Sequence, residues 1–206
     1  VRYLLLVYEK NSRVKYGAVL VNCLPPAGST MVHPHMHALA SDQPFNMLTE
    51  VNVKAREYWE TKGSNYWKDL VAEEKRRKER YLGSLGVSDW IAAYSPTGSD
   101  EAWGVACGGS DLTRTSRSTL SNLADGLSRV LKFYDDQGIL SFNVVVFSSP
   151  FGSQSPYGSV VLKIASRYGF QSHNVNDIWG LRYFLDESEA FDSPEDVTVE
   201  LRKYFA

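Results

Sequence analysis

Apolar and polar positions along this chain repeat with two different periods, and the switches between them mark out its elements. Tyr3-Leu4-Leu5-Leu6-Val7-Tyr8 is a short apolar run that fits a strand or a helix end, broken by Asn11-Ser12-Arg13. Residues 16–22 read as a strand, and Pro25, Pro26 and Gly28 set a loop through Thr30. Met31 to Ala40 should be the next strand, at an edge or with Pro34 facing a loop, because proline cannot donate to a ladder. From Asn46 to about Arg80 the pattern turns helical and charged, with Asn46 or Thr49 as cap and Gly63-Ser64 dividing two helices. Residues 81–85, 89–94 and 101–107 alternate as antiparallel strands, with turns at Gly86 and Pro96-Thr97-Gly98.

The clearest helix runs from Thr113 to Asp136, with Leu120, Leu123, Leu127, Val130, Leu131 and Tyr134 on one stripe and Gly138 ending it. Strands follow at 141–148 and 158–167, and a last helix is capped at Ser193, carries Pro194 in its first turn and reaches Tyr204. Strands, a long helix and further strands give an α+β layout.

Chemistry concentrates in one place. Three of the four histidines fall in His33-Pro34-His35-Met36-His37. On an extended strand these three side chains share a face, with successive imidazoles roughly 6–7 Å apart, so each would meet a different part of an extended polyanion. Imidazole changes charge near neutral pH, so one ring can attack while a neighbour moves protons. The spacing alone also fits a polar surface cluster or metal binding.

Bulk properties exclude several classes. The chain has 206 residues, 43% of them hydrophobic, with five tryptophans and twelve tyrosines, enough for a substantial core. A net charge of −2 gives no electrostatic case for nucleic acid, and Lys75-Arg76-Arg77-Lys78 is interleaved with Glu73, Glu74 and Glu79 as a solvated helix face. Cys23 and Cys107 supply neither a disulfide framework nor a C-x-x-C metal pair, so a reducing, cytoplasmic setting is expected. No apolar stretch is long enough to span a membrane. The chain opens inside an apolar segment without an initiator methionine, so upstream sequence is expected.

The stretch from Asn22 through Cys23, Leu24, Gly28, Ser29 and Thr30 to His33-Pro34-His35-Met36-His37 resembles the signature of the galactose-1-phosphate uridylyltransferase group of the histidine-triad superfamily. Weaker echoes follow in the family's order: Pro44, Glu50, Glu79-Arg80, Ala93-Tyr94-Ser95-Pro96, Ser141-Phe142-Asn143, Pro194-Glu195 and Leu201-Arg202. The resemblance implies an α+β, histidine-triad-like fold, an antiparallel sheet with flanking helices. Residues 1–45 would end a first unit carrying the motif, and residues 46–206 would form a degenerate second unit without catalytic histidines.

The resemblance also implies a nucleotidyltransferase of carbohydrate metabolism. His35 would attack the α-phosphorus of a nucleotide sugar, form a covalent nucleotidyl-imidazole and pass the nucleotidyl group to a phosphorylated acceptor. A second ring-nitrogen bond to a backbone carbonyl would fix its tautomer. His33 and His37 complete the catalytic set, and Asn22, Gly28, Ser29 and Thr30 would bind the phosphates through loop amides and hydroxyls. The alternative for Ser29 and Thr30 is local turn bonding.

Departures shape this expectation. Leu24 replaces a signature glycine, and His37 replaces a glutamine, which favours water or phosphate as acceptor. His33 falls on a zinc ligand of bacterial uridylyltransferases, so zinc is expected only with ligands from outside this chain. Glu50, Phe147, Lys163 and Ala165 match a second metal site in which imidazoles are lost, so no metal is expected there, and His173 reads as a surface residue. Leu181-Arg182 after Gly180 replaces a sugar-binding Tyr-Glu pair and suits an anion. A hydrolase or phosphorylase, a non-catalytic nucleotide-sugar binder and a metal-binding module stay open as alternatives. A homodimer is expected to cover the open sheet at the start.

Overall fold

The computed structural model describes residues 2–106, 109–167 and 190–206. Cys107, His173, Gly180, Leu181 and Arg182 lie outside the described residues.

The opening apolar run is helical. Helix α1 (Arg2–Lys10) buries Leu4 completely, and Tyr8, one turn on, meets Phe151 edge to face at 5.9 Å. Strand β1 (Tyr16–Cys23) follows, then a 3₁₀ turn (Pro25–Ala27) and strand β2 (His37–Ser41). Helices α2 (Asn46–Lys62) and α3 (Tyr66–Arg77) come next. Gly63 closes α2 in a left-handed conformation. Asn65 caps α3 by accepting from the amides of Trp67 and Lys68. Neither Asn46 nor Thr49 caps α2: its cap position is Phe45, and Asn46 is the first helical residue.

Strands β3 (Tyr81–Leu85), β4 (Ser88–Ala92) and β5 (Ala102–Ala106) form a meander. Helix α4 (Arg117–Asp136) begins after the expected Thr113, because Asp111 first caps a 3₁₀ turn over residues 112–114 and Ser116 caps the helix itself. Strands β6 (Phe142–Phe147) and β7 (Val160–Ser166) precede helix α5 (Pro194–Leu201), whose last expected turn is instead 3₁₀.

The described strands form one antiparallel sheet of seven, ordered β2-β1-β6-β7-β5-β4-β3. The α+β expectation of an antiparallel sheet with flanking helices is borne out. The boundary expected after residue 45 falls within this continuous sheet, since β1 pairs with β6. Strand alternation sends side chains to two cores. One packs Trp90, Val144, Leu162 and Ile164 against Leu123 and Val130 of α4 and Leu201 of α5. The other packs Ile91, Trp103, Phe147 and Val161 against Leu48 of α2 and Trp67 and Val71 of α3. Gly126 of α4 sits so close to the Trp90 indole that a Cβ would meet it at 2.1 Å, so only glycine lets this helix approach.

Helices α2 and α3 cover only part of their face. Leu20, Asn22, Asn143, Val145, Lys163 and Ala165 stay half-buried there, and β2 is exposed on both faces except at Ser41. This open end of the sheet carries the histidines.

Candidate active site

The histidine segment is not one extended strand. The ladder between β1 and β2 starts at His37, opposite Leu20. Residues 29–36 are irregular, because Pro34 offers no amide and Ser29 folds the chain locally. The three imidazoles therefore do not project evenly from one face. The rings of His35 and His37 stand 4.8 Å apart between centroids, edge to face, closer than a strand spacing allows. His35 Nδ1 lies 2.6 Å from the His33 carbonyl oxygen. A carbonyl only accepts, so Nδ1 carries the proton and donates, which in the neutral ring leaves the lone pair on Nε2. His35 is half-buried, while His33 and His37 are exposed.

Directly paired residues of an antiparallel sheet share a face. One such row runs from His37 through Leu20, Val145, Lys163 and Trp103 to Ile91. The neighbouring row holds Asn22, Asn143 and Ala165. The β1–β2 ladder ends at the Leu20–His37 pair, two residues before Asn22, and His35 lies in the irregular stretch that precedes it. His37 and Asn22 therefore stand in neighbouring rows at the open end of the face that α2 and α3 cover elsewhere, and the ring contact holds His35 beside His37.

The glycine loop differs from an open phosphate cradle. The amides of Ala27 and Ser29 donate to the Leu24 carbonyl at 3.1 and 3.2 Å, and that of Gly28 to Pro25 at 2.9 Å. Ser29 is buried, and its hydroxyl donates to the Met31 carbonyl at 2.7 Å. For Ser29 and Gly28 the donors expected for phosphate are thus turned inward. Thr30 is exposed, and among the described residues neither its amide nor its hydroxyl has a partner, so the loop presents its donors there. Gly28 closes the 3₁₀ turn at φ +85°, as glycine permits. Leu24 takes φ +68° and ψ 166°, a combination that L-residues adopt only under strain.

Two side chains join the site that motif reading leaves aside as site residues. Asn143 on β6 donates to Asn22 Oδ1 at 2.8 Å and to the Ala27 carbonyl at 2.9 Å. Arg167 Nη1 donates to Asn143 Oδ1 at 2.9 Å. Their signal in the sequence is an asparagine inside the otherwise apolar run Phe-Asn-Val-Val-Val-Phe. Lys163 lies in the row of His37 but three strands away. Its ammonium lies 4.2 Å from the Trp103 ring centre and 3.8 Å from Glu101, and burial lowers its pKa while Glu101 opposes the shift.

Glu50, Phe147, Lys163 and Ala165 do not make a metal's donor set: Phe147 is buried in the core and Lys163 is itself a cation. Among the described residues no three histidine, cysteine, aspartate or glutamate side chains converge as a metal site. Among the same residues no helix is long and apolar enough to cross a membrane.

A solved structure of a uridylyltransferase superposes on 99% of this chain and 66% of its own, with a TM-score of 0.84 at 13% identity. The chain has the uridylyltransferase fold. A GalT-like protein from Arabidopsis thaliana shares it, at a TM-score of 0.79 and 18% identity over 98% of this chain and 67% of that one. So does an ADP-glucose phosphorylase from Arabidopsis thaliana with bound ADP-glucose, at 0.80 and 19%, over 98% of this chain and 63% of that one. An uncharacterized protein of Archaeoglobus fulgidus is 28% identical over 191 residues, 93% of this chain but 57% of the relative. The chain thus spans less than two thirds of that relative's length. No family model matches the chain.

Proposed function

We propose that this chain is part of a nucleotidyltransferase that works through a covalent nucleotidyl-histidine on His35. The observation that carries this reading is the bond from His35 Nδ1 to the His33 carbonyl, which reserves Nε2 as nucleophile. Nε2 attacks the α-phosphorus of a nucleotide sugar, a P–N bond forms, and the bond to the bridging oxygen breaks to release a sugar 1-phosphate. A phosphorylated acceptor then attacks the same phosphorus, the P–N bond breaks and its electron pair returns to Nε2. In this reading Thr30 and Asn22 would donate to the phosphate oxygens. The expected homodimer belongs to the same reading, because β2 is the edge of the sheet among the described residues and a second subunit could cover it, and light scattering tests it.

Incubation with α-labelled UDP-glucose or ADP-glucose tests the reaction. An acid-labile label on the protein, discharged by a sugar 1-phosphate or by inorganic phosphate, is the expected result. Binding of either nucleotide sugar without label transfer or turnover would instead identify a binder.

The ring of His37 favours a second reading for the acceptor step. Edge contact puts a second imidazole beside the His35 ring, which suits proton removal from water or phosphate. For His37→Gln we expect transfer to rise relative to hydrolysis, because a carboxamide cannot take the proton from water. An unchanged product ratio would remove His37 from that step.

A further inference from the structure

The row of the sheet that holds Asn22 carries a chain of hydrogen bonds whose polarity is set from one end. A guanidinium only donates, so the Asn143 carboxamide must turn its oxygen toward Arg167. Its nitrogen then faces the other way and donates to Asn22 Oδ1 and to the Ala27 carbonyl. That backbone carbonyl only accepts, which requires the same orientation independently. Asn22 is left one arrangement: oxygen toward Asn143, and –NH₂ away from β6, on the side of β2, whose ladder with β1 ends at the Leu20–His37 pair two residues earlier.

We propose that Asn143, oriented by Arg167, is a positioning residue that keeps the Asn22 amide aimed as a donor at a phosphate oxygen of the nucleotide. The identity of the ligand rests on the function proposed above. The orientation of Asn22 rests on the hydrogen bonds alone. Reversal of one carboxamide would turn an oxygen toward an anion, so the relay converts a fixed cation at the end of β7 into a fixed donor at the end of β1.

A double-mutant cycle tests it, with affinity for UDP-glucose and ADP-glucose measured by calorimetry in the His35→Ala background, where turnover is blocked. Asn143→Ala should weaken binding about tenfold, the size of one hydrogen bond to a charged group. Asn143→Asp should weaken it more, about a hundredfold, because a carboxylate forces Asn22 to donate inward and present its oxygen to the phosphate. With Asn22→Ala already in place, Asn143→Ala should cost less than about twofold. A tenfold loss that persists without Asn22 would mean that Asn143 only braces the loop through Ala27, and would overturn the proposal. Equal effects of alanine and aspartate would overturn it too. Should Asn143→Ala fail to fold, Asn143→Ser carries the same cycle, with the thermal midpoint as control. A His35 adduct in wild type with no effect of Asn143 on binding sinks the relay alone. The predicted coupling without any adduct sinks the covalent reaction alone. No binding of either nucleotide sugar sinks both.

Discussion

At one edge of the sheet, β3 lies under α4, α5 and the carboxy-terminal 3₁₀ turn, and charge is buried behind it. Arg80 is 9% exposed, reaches the 2% exposed Glu74 at 2.8 Å, pairs with Glu195 from α5, and lies 4.9 Å from the Tyr94 ring centre. At the other edge, β2 shows both faces, and among the described residues His33, His35 and His37 bond and stack with one another. The first edge locks three elements by fully partnered charges. The second keeps polar, titratable groups accessible on a strand that contributes little packing. Stability and the proposed chemistry therefore fall at opposite ends of one sheet, and substitutions should separate them.

The largest effect should come from the locked edge. Arg80→Ala strands Glu74 in the interior, and urea unfolding should show a loss of about 3–5 kcal/mol. His35→Ala, at the open edge, should stay within about 0.5 kcal/mol of wild type in the same measurement. Comparable losses at both ends would erase the contrast.

Leu24→Gly sharpens it further. The strain at φ +68° is relieved by glycine, so the unfolding midpoint should rise by the equivalent of about 1 kcal/mol, despite the added backbone freedom of the unfolded chain. A loss of stability would show that Leu24 is held by packing worth more than its strain.

Lys163 lies between the two ends and should matter least. Glu101 accepts from the Thr97 amide, the Thr97 hydroxyl and the Trp103 indole, so it stays satisfied without the lysine. Lys163→Met should be neutral or stabilising by about 1 kcal/mol at pH 7. The sign with pH follows from a folded-state pKa below the ordinary lysine value. The cost of burying the charge is fully present below the folded pKa. It is relieved as pH rises from there toward the unfolded value, where the unfolded chain binds more protons than the folded one. Wild type should therefore gain stability on the alkaline side relative to Lys163→Met, and parallel pH profiles would contradict this.

Much of this division was legible in the sequence. The stripe of α4 appears as written, with Leu123, Val130 and Tyr134 buried, because a twenty-residue amphipathic period leaves no alternative. The opening run was too short to show a period, and tertiary packing of Leu4 made it a helix. The histidine segment misled because alternation presumes a ladder, and a proline with a serine turn removes the ladder before His37. The loop's inward amides depend on closure of a particular 3₁₀ turn, which residue types alone do not specify. The partnership of Asn22 with Asn143 joins residues more than a hundred positions apart, and only the strand order brings them together.

The central claim is a bond between His35 and phosphorus. Protein quenched at high pH after exposure to UDP-glucose or ADP-glucose, then digested and sequenced by tandem mass spectrometry, locates it directly. A nucleotidyl group on the peptide containing His35, absent from His35→Ala and lost on acid treatment, is the predicted result. A nucleotidyl group on any other residue, or sugar 1-phosphate released at the wild-type rate by His35→Ala, would contradict the account.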